Sequence, residues 1–290
     1  MLEFIKNAFE RRRDRRQKRF YDENGYLVLR KFFSTDEVVA LKQMAIDLWT
    51  EPRDPNLIID MGAGPYANQR MKLSDAPYEC RKYNHKINDL YLISELFRSY
   101  FLSPKLVRVL SNCVEGSPLI INSLNFTVGS SQRAHFDTWY MPPPIEDAMV
   151  VASLALENCT PDNGPVFYYP GSHRLSKYRF STGHIRAVES EMPVCDGFLW
   201  PTLQAAGIEK KVLICKAGDL FIWHSQLLHG GSPINDPQAT RRSIVVHYWR
   251  QGDIEKTDEY PWLHNLTTKS HSGWYLKRPH QTPGKVKTTE

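Results

Sequence analysis

The sequence predicts a mainly β fold, a sandwich or barrel of short strands, with helices flanking it. Two observations predict this class. The second half of the chain consists of apolar, β-branched runs separated by turn residues, and the first half carries apolar residues at helical spacing. The chain has 290 residues, 41% of them hydrophobic, which is enough for one large domain with a substantial core. We therefore predict a basic N-terminal helix or arm at 1–20 and a single domain at 21–290.

The first half is predicted as a short strand followed by helices. Gly25-Tyr-Leu-Val-Leu29 has the composition of a short buried strand. Ser34-Thr-Asp-Glu37 has the form of a capping box, and apolar residues recur at helical spacing over 38–48. Two further helices are predicted, at about 87–101 and from Ser103-Pro104 to near Gly116. Together these elements form a helical buttress at about 34–116.

Residues 51–86 interrupt this helical half. The segment is rich in Pro, Gly, Asn and Arg and shows no regular apolar period. A loop of this length in a compact domain is usually functional or mobile. We interpret it as a candidate active-site lid, with a plain surface loop as the alternative.

The second half is predicted to supply a strand-rich core at about 117–250. Asn163-Gly164 is a strong hairpin signal, and Ala217-Gly218-Asp219 marks another turn. Residues 174–210 are polar with several aromatics and could help roof a pocket, and 251–290 forms a C-terminal extension. The predicted strands are 118–128, 148–157, 165–169, 211–216, 219–224 and 243–249.

Charge and cysteine content restrict the class of protein. The net charge is +5, and residues 1–31 hold ten Lys/Arg against five Asp/Glu, so the rest of the chain is neutral. The basic run at 11–19 could contact an anionic partner or a membrane surface, or be a solvated helix or arm; it lacks the interleaved aromatics of a nucleic-acid platform. We expect a small-molecule partner, no nucleic acid and no membrane span.

Five scattered cysteines without a C-x-x-C motif indicate free thiols rather than a zinc site or a disulfide framework. The first residues lack the apolar region of a signal peptide. These features favour a reduced, cytoplasmic protein.

His135-Phe-Asp137 is the first part of a candidate metal site. A turn-rich run at 128–132 precedes it, so we expect the motif at the start of a strand. Residues i and i+2 of a strand share a face, so His135 and Asp137 would both point inward while Phe136 packs on the other side. The alternative is a surface His beside a solvated Asp.

His229 is the candidate third ligand. Along an ideal strand it shares a face with Trp223, whereas His224 points the other way, so we prefer His229. Gly230 and Gly231 would leave room for a bound molecule to approach the backbone. Two imidazoles and a carboxylate on one face of a metal are typical of non-haem Fe(II) oxygenases. A hydrogen-bonded core His is the alternative.

Arg241 and Arg242 open the last strand of the predicted core. An Arg at a strand mouth can grip a carboxylate with two parallel hydrogen bonds. If Val245 packs inward, Arg241 and Ser243 face the cavity and Arg242 is solvated. Both arginines could instead be surface charges, and a one-residue bulge would exchange them.

The chain resembles the phytanoyl-CoA dioxygenase family of Fe(II)/2-oxoglutarate oxygenases. The matching pieces lie in order over residues 24–248. They are Asn24-Gly-Tyr-Leu-Val-Leu29 with Phe32-Phe-Ser34, Gly129-Ser-Ser-Gln-Arg-Ala-His-Phe-Asp-Thr-Trp139, Asp162-Asn-Gly-Pro-Val-Phe-Tyr-Tyr-Pro-Gly-Ser-His-Arg174, Gly218-Asp-Leu-Phe-Ile-Trp-His-Ser-Gln-Leu-Leu-His-Gly-Gly231 and Arg241-Arg-Ser-Ile-Val-Val-His-Tyr248.

This resemblance implies a double-stranded β-helix (jelly-roll, cupin-like) core that uses Fe(II), 2-oxoglutarate as cosubstrate and O2. It makes His135, Asp137 and His229 both the catalytic residues and the iron ligands. Arg241 becomes the partner of the distal carboxylate of 2-oxoglutarate. Family members also use a residue on the strand before the H-x-D motif. The further candidate contacts to the cosubstrate are Ser243, Asn125 and Gln132.

The resemblance also bears on the reaction. It implies oxidation of a small-molecule metabolite, by default hydroxylation, coupled to decarboxylation of 2-oxoglutarate to succinate and CO2. Related halogenases carry a small residue in place of the carboxylate, so Asp137 favours oxygenation. Desaturation, ring closure or epimerisation in natural-product biosynthesis, and a catalytically silent metal-binding jelly roll that acts as a binding protein, are the alternatives.

Four aromatic residues are candidate walls of the substrate pocket, with ordinary aromatic packing as the alternative for each: Trp139, Tyr140, Tyr168 and Trp223. His173, in the Pro-Gly-Ser-His turn, is expected to shape the fold rather than to act in catalysis.

Overall fold

The computed structural model describes residues 2–258 and 260–285. Its helices are α1 (Leu2–Asn24), α2 (Thr35–Asp47), α3 (Leu90–Ile93), α4 (Glu95–Phe101), α5 (Pro104–Val114) and α6 (Met192–Ala205). Its strands are β1 (Tyr26–Leu29), β2 (Ile58–Met61), β3 (Gln69–Lys72), β4 (His85–Asn88), β5 (Pro118–Phe126), β6 (Met149–Ala155), β7 (Val166–Tyr168), β8 (Lys211–Val212), β9 (Leu220–His224), β10 (His229–Gly231), β11 (Ser243–Arg250), β12 (Thr267–Ser270), β13 (Gly273–Leu276) and β14 (Gly284–Lys285).

Two sheets form the jelly-roll core. The large sheet has the order β1-β9-β6-β11-β5-β4-β2-β3-β14, and β10-β7-β8 form a small second sheet. An apolar cluster joins Val151 and Phe221 of the large sheet to Tyr168 of the small one. Because these side chains come from both sheets, the cluster fills the space between them. The predicted jelly-roll core is confirmed.

The outer face of the large sheet carries the helices. Ile244, Val246 and Tyr248 of β11 belong to the same buried cluster as Leu41 of α2 and Phe97 of α4. Side chains alternate along a strand, so the intervening Ser243, Val245 and His247 face the interior. This alternation fixes which residues of β11 can reach the site.

The predicted capping box at Ser34 is confirmed. Its hydroxyl accepts a hydrogen bond from the backbone N–H of Glu37 at 3.3 Å, and the Glu37 carboxylate accepts one from the backbone N–H of Ser34 at 2.7 Å. Both orphan donors at the start of α2 are therefore satisfied.

The segment 51–86 differs from its prediction as a loop or lid. It contains β2 and β3 and leads into β4, and these strands pair antiparallel and extend the large sheet through β5. All four residues of β2 are buried, including Asp60, which pairs with Arg70. The ion pair with Arg70 stabilises a charged residue inside a strand. Because charged residues replace apolar ones here, the alternation that predicts a strand is not visible in the sequence. The helical buttress is thus interrupted by part of the sheet.

Residues after 250 also join the sheet. β13 pairs in parallel with β5, and β14 pairs with β3. The Tyr91 hydroxyl donates to the carbonyl oxygen of Leu276 at 3.0 Å. The described part of the C-terminal extension therefore packs as part of the domain, while 286–290 lie outside the described residues.

The basic N-terminal segment lies in helix α1, which continues beyond the predicted boundary at 20 to Asn24. Arg108 of α5 binds Glu10 and Asp14, and Lys18 binds Glu115 at 2.9 Å. These pairs dock the helix on the domain. No helix within 2–258 or 260–285 is long and apolar enough to cross a membrane.

Candidate metal centre

A single antiparallel bridge brings the two halves of the site together. His135 and His229 exchange backbone hydrogen bonds of 2.8 and 3.1 Å. Phe136 is extended (φ −103°, ψ 139°), so the side chain of Asp137 returns to the face of His135. The expected strand is wrong in one respect: Asp137 already begins a 3₁₀ turn at Asp137–Trp139. The two side chains share a face because one residue between them is extended.

The donor atoms of His135, Asp137 and His229 converge. One donor atom from each residue lies within 4.8 Å of the others. The Oδ1 atom of Asp137 is 3.8 Å from the Nε2 atom of each imidazole. The three residues are only 5%, 5% and 7% exposed. This is a compact, enclosed donor set.

The donor atoms have the chemistry that Fe(II) needs. Each imidazole donates its Nδ1–H to a backbone carbonyl oxygen at 2.9 Å, His135 to Arg133 and His229 to Leu227. A neutral imidazole with a proton on Nδ1 has its lone pair on Nε2, which is the atom facing the cluster. The Trp223 indole donates to Asp137 Oδ2 at 2.7 Å and leaves Oδ1 for a metal. The residues present therefore fit an iron ion with a 2-His-1-carboxylate donor set.

The electrostatics keep His135 neutral and Asp137 ionised. Burial, with the neighbouring His229, lowers the pKa of His135 to about 3. Burial alone would raise the pKa of Asp137, but the surrounding His229, His247 and His135 hold it well below its usual value. A neutral imidazole and an ionised carboxylate are the forms that bind a metal.

His247 also lies at the site, although sequence reasoning did not select it. Its Nε2 atom is 3.5 Å from Asp137 Oδ1, and its buried Nδ1 atom has no partner among the described residues. It lies six residues after Arg241 on β11. The alternation that placed Arg241 and Ser243 inward could have found it.

Lys86 of β4 is a further cation on the interior side of the large sheet. It precedes the outward-facing Ile87, so it points to the interior side, and its side chain is half-buried. Burial lowers the pKa of its amine, whereas the negative charges of Asp60 and Asp137 raise it by less. No sequence signal marked this residue, because β4 itself was not predicted.

Arg241 faces an interior cavity. The residue is 7% exposed, and its Nε atom and the Ser243 hydroxyl have no hydrogen-bond partner within the described chain. Both line a cavity together with Ser153, Cys159 and Cys215. Arg242 turns outward and binds Glu157 at 2.7 Å. A buried guanidinium with unused donors beside a hydroxyl is suited to a carboxylate ligand.

Asn125 and Gln132 lie elsewhere. Asn125 is directly opposite Ile244 and Ile87, both in the outer cluster, so it faces the helices rather than the Arg241 cavity. The Gln132 amide donates to the Tyr140 hydroxyl at 3.1 Å. It sits beside the metal site because the loop carrying it packs on the His229 strand.

That packing explains the Gly230-Gly231 pair differently from the prediction. A Cβ atom at Gly231 would lie 2.3 Å from Ser130 Oγ and 2.6 Å from the Ser131 nitrogen. At Gly230 it would lie 2.7 Å from the Gln132 oxygen. The glycines therefore allow the loop at 130–132 to pack against this strand. We had expected them to leave room for a bound molecule.

Of the four aromatic candidates, Tyr140 alone is partly exposed, and it lies beside the metal site. The Tyr140 ring lies 5.4 Å from that of His135. Trp139 packs against Leu199 of α6, and the Tyr168 ring lies 5.1 Å from that of Phe221, tilted by 48°, between the sheets. The Trp223 indole donates a hydrogen bond to Asp137. All three are buried, and Trp139 also lines a second cavity with Leu199 and Gln226, so their role as pocket walls stays a prediction. The predicted excursion at 174–210 supplies the α6 cover over Trp139.

His173 has a structural position. Its Nε2 atom donates to the carbonyl oxygen of Asp22 at 3.0 Å, and its ring packs 5.2 Å from that of His224. It ties the Pro-Gly-Ser-His turn to the end of α1, away from the donor cluster.

Known sequences resemble the chain over most of its length. The model of the family "Phytanoyl-CoA dioxygenase (PhyH)" matches residues 21–243. The peroxisomal phytanoyl-CoA dioxygenase of Mus musculus is 26% identical over 246 residues, covering 80% of the chain and 67% of that protein. Ectoine dioxygenase of Sphingopyxis alaskensis is 28% identical over 178 residues, covering 55% of the chain and 49% of the relative.

Solved structures share the fold. The non-haem α-ketoglutarate-dependent carbocyclase SnoK from nogalamycin biosynthesis aligns with a TM-score of 0.62 at 18% identity, over 90% of this chain and 95% of SnoK. EctD from S. alaskensis with bound Fe aligns with a TM-score of 0.59 at 20% identity, over 81% and 76%.

Proposed function

Because the chain belongs to the phytanoyl-CoA dioxygenase family of iron- and 2-oxoglutarate-dependent oxygenases, we propose that it hydroxylates a small-molecule metabolite at a centre held by His135, Asp137 and His229. The carrying observation is the convergence of two imidazole nitrogens and one carboxylate oxygen in a buried cluster. Fe(II), 2-oxoglutarate and O2 are the cofactor and cosubstrates of this proposal. Iron with these cosubstrates supplies the oxidation, in which 2-oxoglutarate is decarboxylated to succinate and CO2.

The protein's own residues bind and orient. His135 and His229 present fixed lone pairs because backbone carbonyls hold their other ring nitrogens. Trp223 fixes the plane of the Asp137 carboxylate. A metal held by two imidazoles and one carboxylate would keep its remaining positions for small ligands. Retention of Asp137 supports oxygenation rather than halogenation.

Arg241 and Ser243 are proposed to hold the distal carboxylate of 2-oxoglutarate. The cavity excludes most water, so a guanidinium–carboxylate pair there is desolvated and strong. The unused Nε donor of Arg241 and the unused Ser243 hydroxyl are the groups that such a carboxylate would satisfy.

The substrate is proposed to approach from the side of Tyr140 and Gln132. Their mutual hydrogen bond forms a polar edge next to His135, and both side chains are partly exposed. The relatives are named for phytanoyl-CoA, ectoine and hypophosphite, which share little chemistry. We therefore expect the rim residues, rather than the metal ligands, to select the substrate.

A turnover assay tests the proposal. Purified protein with Fe(II), 2-oxoglutarate and O2 is screened against a metabolite panel while succinate and product mass are measured. A product heavier by one oxygen, about 16 Da, indicates hydroxylation, and one lighter by two hydrogens, about 2 Da, indicates desaturation or ring closure. His135→Ala should abolish succinate formation, whereas the surface variant His271→Ala should not.

Two outcomes would contradict the proposal. Succinate formation that survives His135→Ala would remove the triad from the reaction. Iron and 2-oxoglutarate binding without succinate for any substrate would favour a catalytically silent binding protein.

A further inference from the structure

Two thiols face each other in the wall of the Arg241 cavity. Cys159 and Cys215 are directly opposed in an isolated antiparallel bridge, with a backbone hydrogen bond of 2.8 Å from Cys159 N–H to the Cys215 carbonyl oxygen. Both are free thiols, both are buried, and both line the cavity with Arg241. The metal centre does not use them.

Their backbone placement suits a covalent bond. Directly opposed residues of an antiparallel pair have Cβ atoms about 4.5–5.5 Å apart on one face. A disulfide needs about 3.5–4.5 Å between Cβ atoms, so a movement of roughly 1 Å is enough. The pair joins the end of β6 to the start of β9, segments already tied by hydrogen bonds between Ala155 and both Gly218 and Asp219.

Their surroundings favour the reactive form of one thiol. The Cys215 thiol donates a hydrogen bond to Cys159 and so lowers the pKa of Cys159, and the charge of Arg241 acts in the same direction. The thiolate is the nucleophilic form of cysteine. The residues lining the cavity include Glu157 and Arg242, whose side chains are partly exposed, so this edge of the cavity lies near the protein surface.

We propose that Cys159 and Cys215 form a disulfide when hydrogen peroxide enters the Arg241 cavity. The Cys159 sulfur attacks one peroxide oxygen; an S–O bond forms, the O–O bond breaks, and the leaving hydroxide takes a proton to become water. The Cys215 sulfur then attacks Cys159; an S–S bond forms, the S–O bond breaks, and a second water leaves with the last thiol proton. Two thiols are oxidised and one peroxide is reduced to two waters.

Cys215 thereby prevents further oxidation of Cys159. A sulfenic acid without a neighbouring thiol continues to the sulfinic acid, which is not reversed by thiols, whereas a disulfide is. The two cysteines therefore keep the oxidation of the cavity wall beside Arg241 reversible.

The test is oxidation of metal-free protein with hydrogen peroxide, read by intact mass and disulfide peptide mapping. Wild type should lose about 2 Da and retain three of its five cysteines as thiols, with Cys159 joined to Cys215. Cys215→Ser, which keeps a hydrogen-bond donor beside Cys159 but cannot form the disulfide, should instead gain about 32 Da at Cys159. Cys195→Ala, which removes a buried thiol of α6, should form the disulfide as wild type does.

The proposal is overturned if wild type retains five thiols, if the disulfide maps to another pair, or if Cys215→Ser leaves Cys159 unoxidised under conditions that consume wild-type thiols. Should a variant fail to fold, the wild-type peptide map decides alone.

A second arm rests on the proposed function. N-oxalylglycine, an analogue of 2-oxoglutarate that peroxide does not decarboxylate, is added with redox-inert Zn(II). Bound at Arg241, it should slow disulfide formation about tenfold at ten times its dissociation constant, relative to Zn(II) alone. Disulfide formation without such protection would overturn the placement of 2-oxoglutarate at Arg241 but not the thiol pair; absence of the disulfide would overturn the thiol pair but not the placement.

Discussion

The two carboxylate oxygens of Asp137 have different neighbours. Oδ2 accepts the indole N–H of Trp223, and Oδ1 faces the imidazoles of His135, His229 and His247. This division orients the carboxylate before a metal binds. Trp223 was selected from the sequence as a pocket wall, but its effect is on the geometry of a ligand.

Trp223→Phe should weaken Fe(II) binding. It removes the donor to Asp137 Oδ2 while keeping most of the apolar volume, and loss of such an outer contact typically costs about 10–100-fold in metal affinity. Anaerobic Fe(II) titration measures the change. The exposed Trp200→Phe is the matched control, and equal affinities for the two variants would show that Trp223 only packs.

Arg241→Ala and Arg242→Ala should separate cosubstrate binding from stability. Removing the buried Arg241 should weaken 2-oxoglutarate binding by about 2–5 kcal/mol, the usual cost of truncating one partner of a buried, hydrogen-bonded charge pair. Arg242 pairs with Glu157 on the outer side and should leave that affinity nearly unchanged. Isothermal titration in the presence of the metal measures both, and the reverse ranking would refute the assignment.

At the level of elements, strand β11 determines which residues the site can use. Ile244, Val246 and Tyr248 pack under the helices, so Ser243, Val245 and His247 face inward, as does Arg241 just before the strand. The register to β5 shifts at His247/Tyr248, beyond the cosubstrate residues. The inward position of Arg241 could therefore be predicted from alternation alone.

Other elements could not be predicted, for physical reasons. β2, β3 and β4 carry paired charges and buried polar groups, and these conceal alternation. The Gly230-Gly231 pair depends on a loop more than ninety residues earlier in the chain, which only tertiary structure reveals. Asn125 lies on a strand that is buried at every position except Leu124, so polarity does not identify the inward face.

Asn84 connects this unexpected part of the sheet to the metal site. Its amide donates to the carbonyl oxygens of Gly129, at 2.9 Å, and Ser130, in the loop before His135. Asn84→Ala should cost about 1–3 kcal/mol of folding stability because two acceptors lose their donor, and should also weaken Fe(II) binding. Chemical denaturation and anaerobic titration measure these, with the exposed Asn56→Ala as control. If the variant loses stability but keeps its Fe(II) affinity, the loop that Asn84 holds does not influence metal binding.

At the scale of the whole molecule, several histidines are buried in the neutral form. Burial lowers the pKa of His85 to about 4, and that of His135 to about 3. The unfolded chain has a histidine pKa of about 6.5, so between these values it binds more protons than the folded chain. The stability that these buried neutral histidines contribute is fully present above about pH 6.5. It is lost as the pH falls toward their pKa values in the folded protein.

The metal-free protein should therefore unfold more readily at pH 5 than at pH 7. His85 alone should contribute about 2 kcal/mol of this loss. Urea denaturation across this range, compared with His85→Gln, isolates its share, since the variant should show a shallower dependence. Parallel pH profiles for the two proteins would mean that His85 is not buried as a neutral ring.

The central claim is that His135, Asp137 and His229 form one iron site that shares 2-oxoglutarate with Arg241. Anaerobic titration of the protein with Fe(II) and 2-oxoglutarate, followed by visible spectroscopy, tests it most directly. We predict one equivalent of iron per chain and a metal-to-ligand charge-transfer band that is absent in His229→Ala and requires more 2-oxoglutarate in Arg241→Ala. A wild-type protein without the band, or a band that persists in His229→Ala, would contradict the claim.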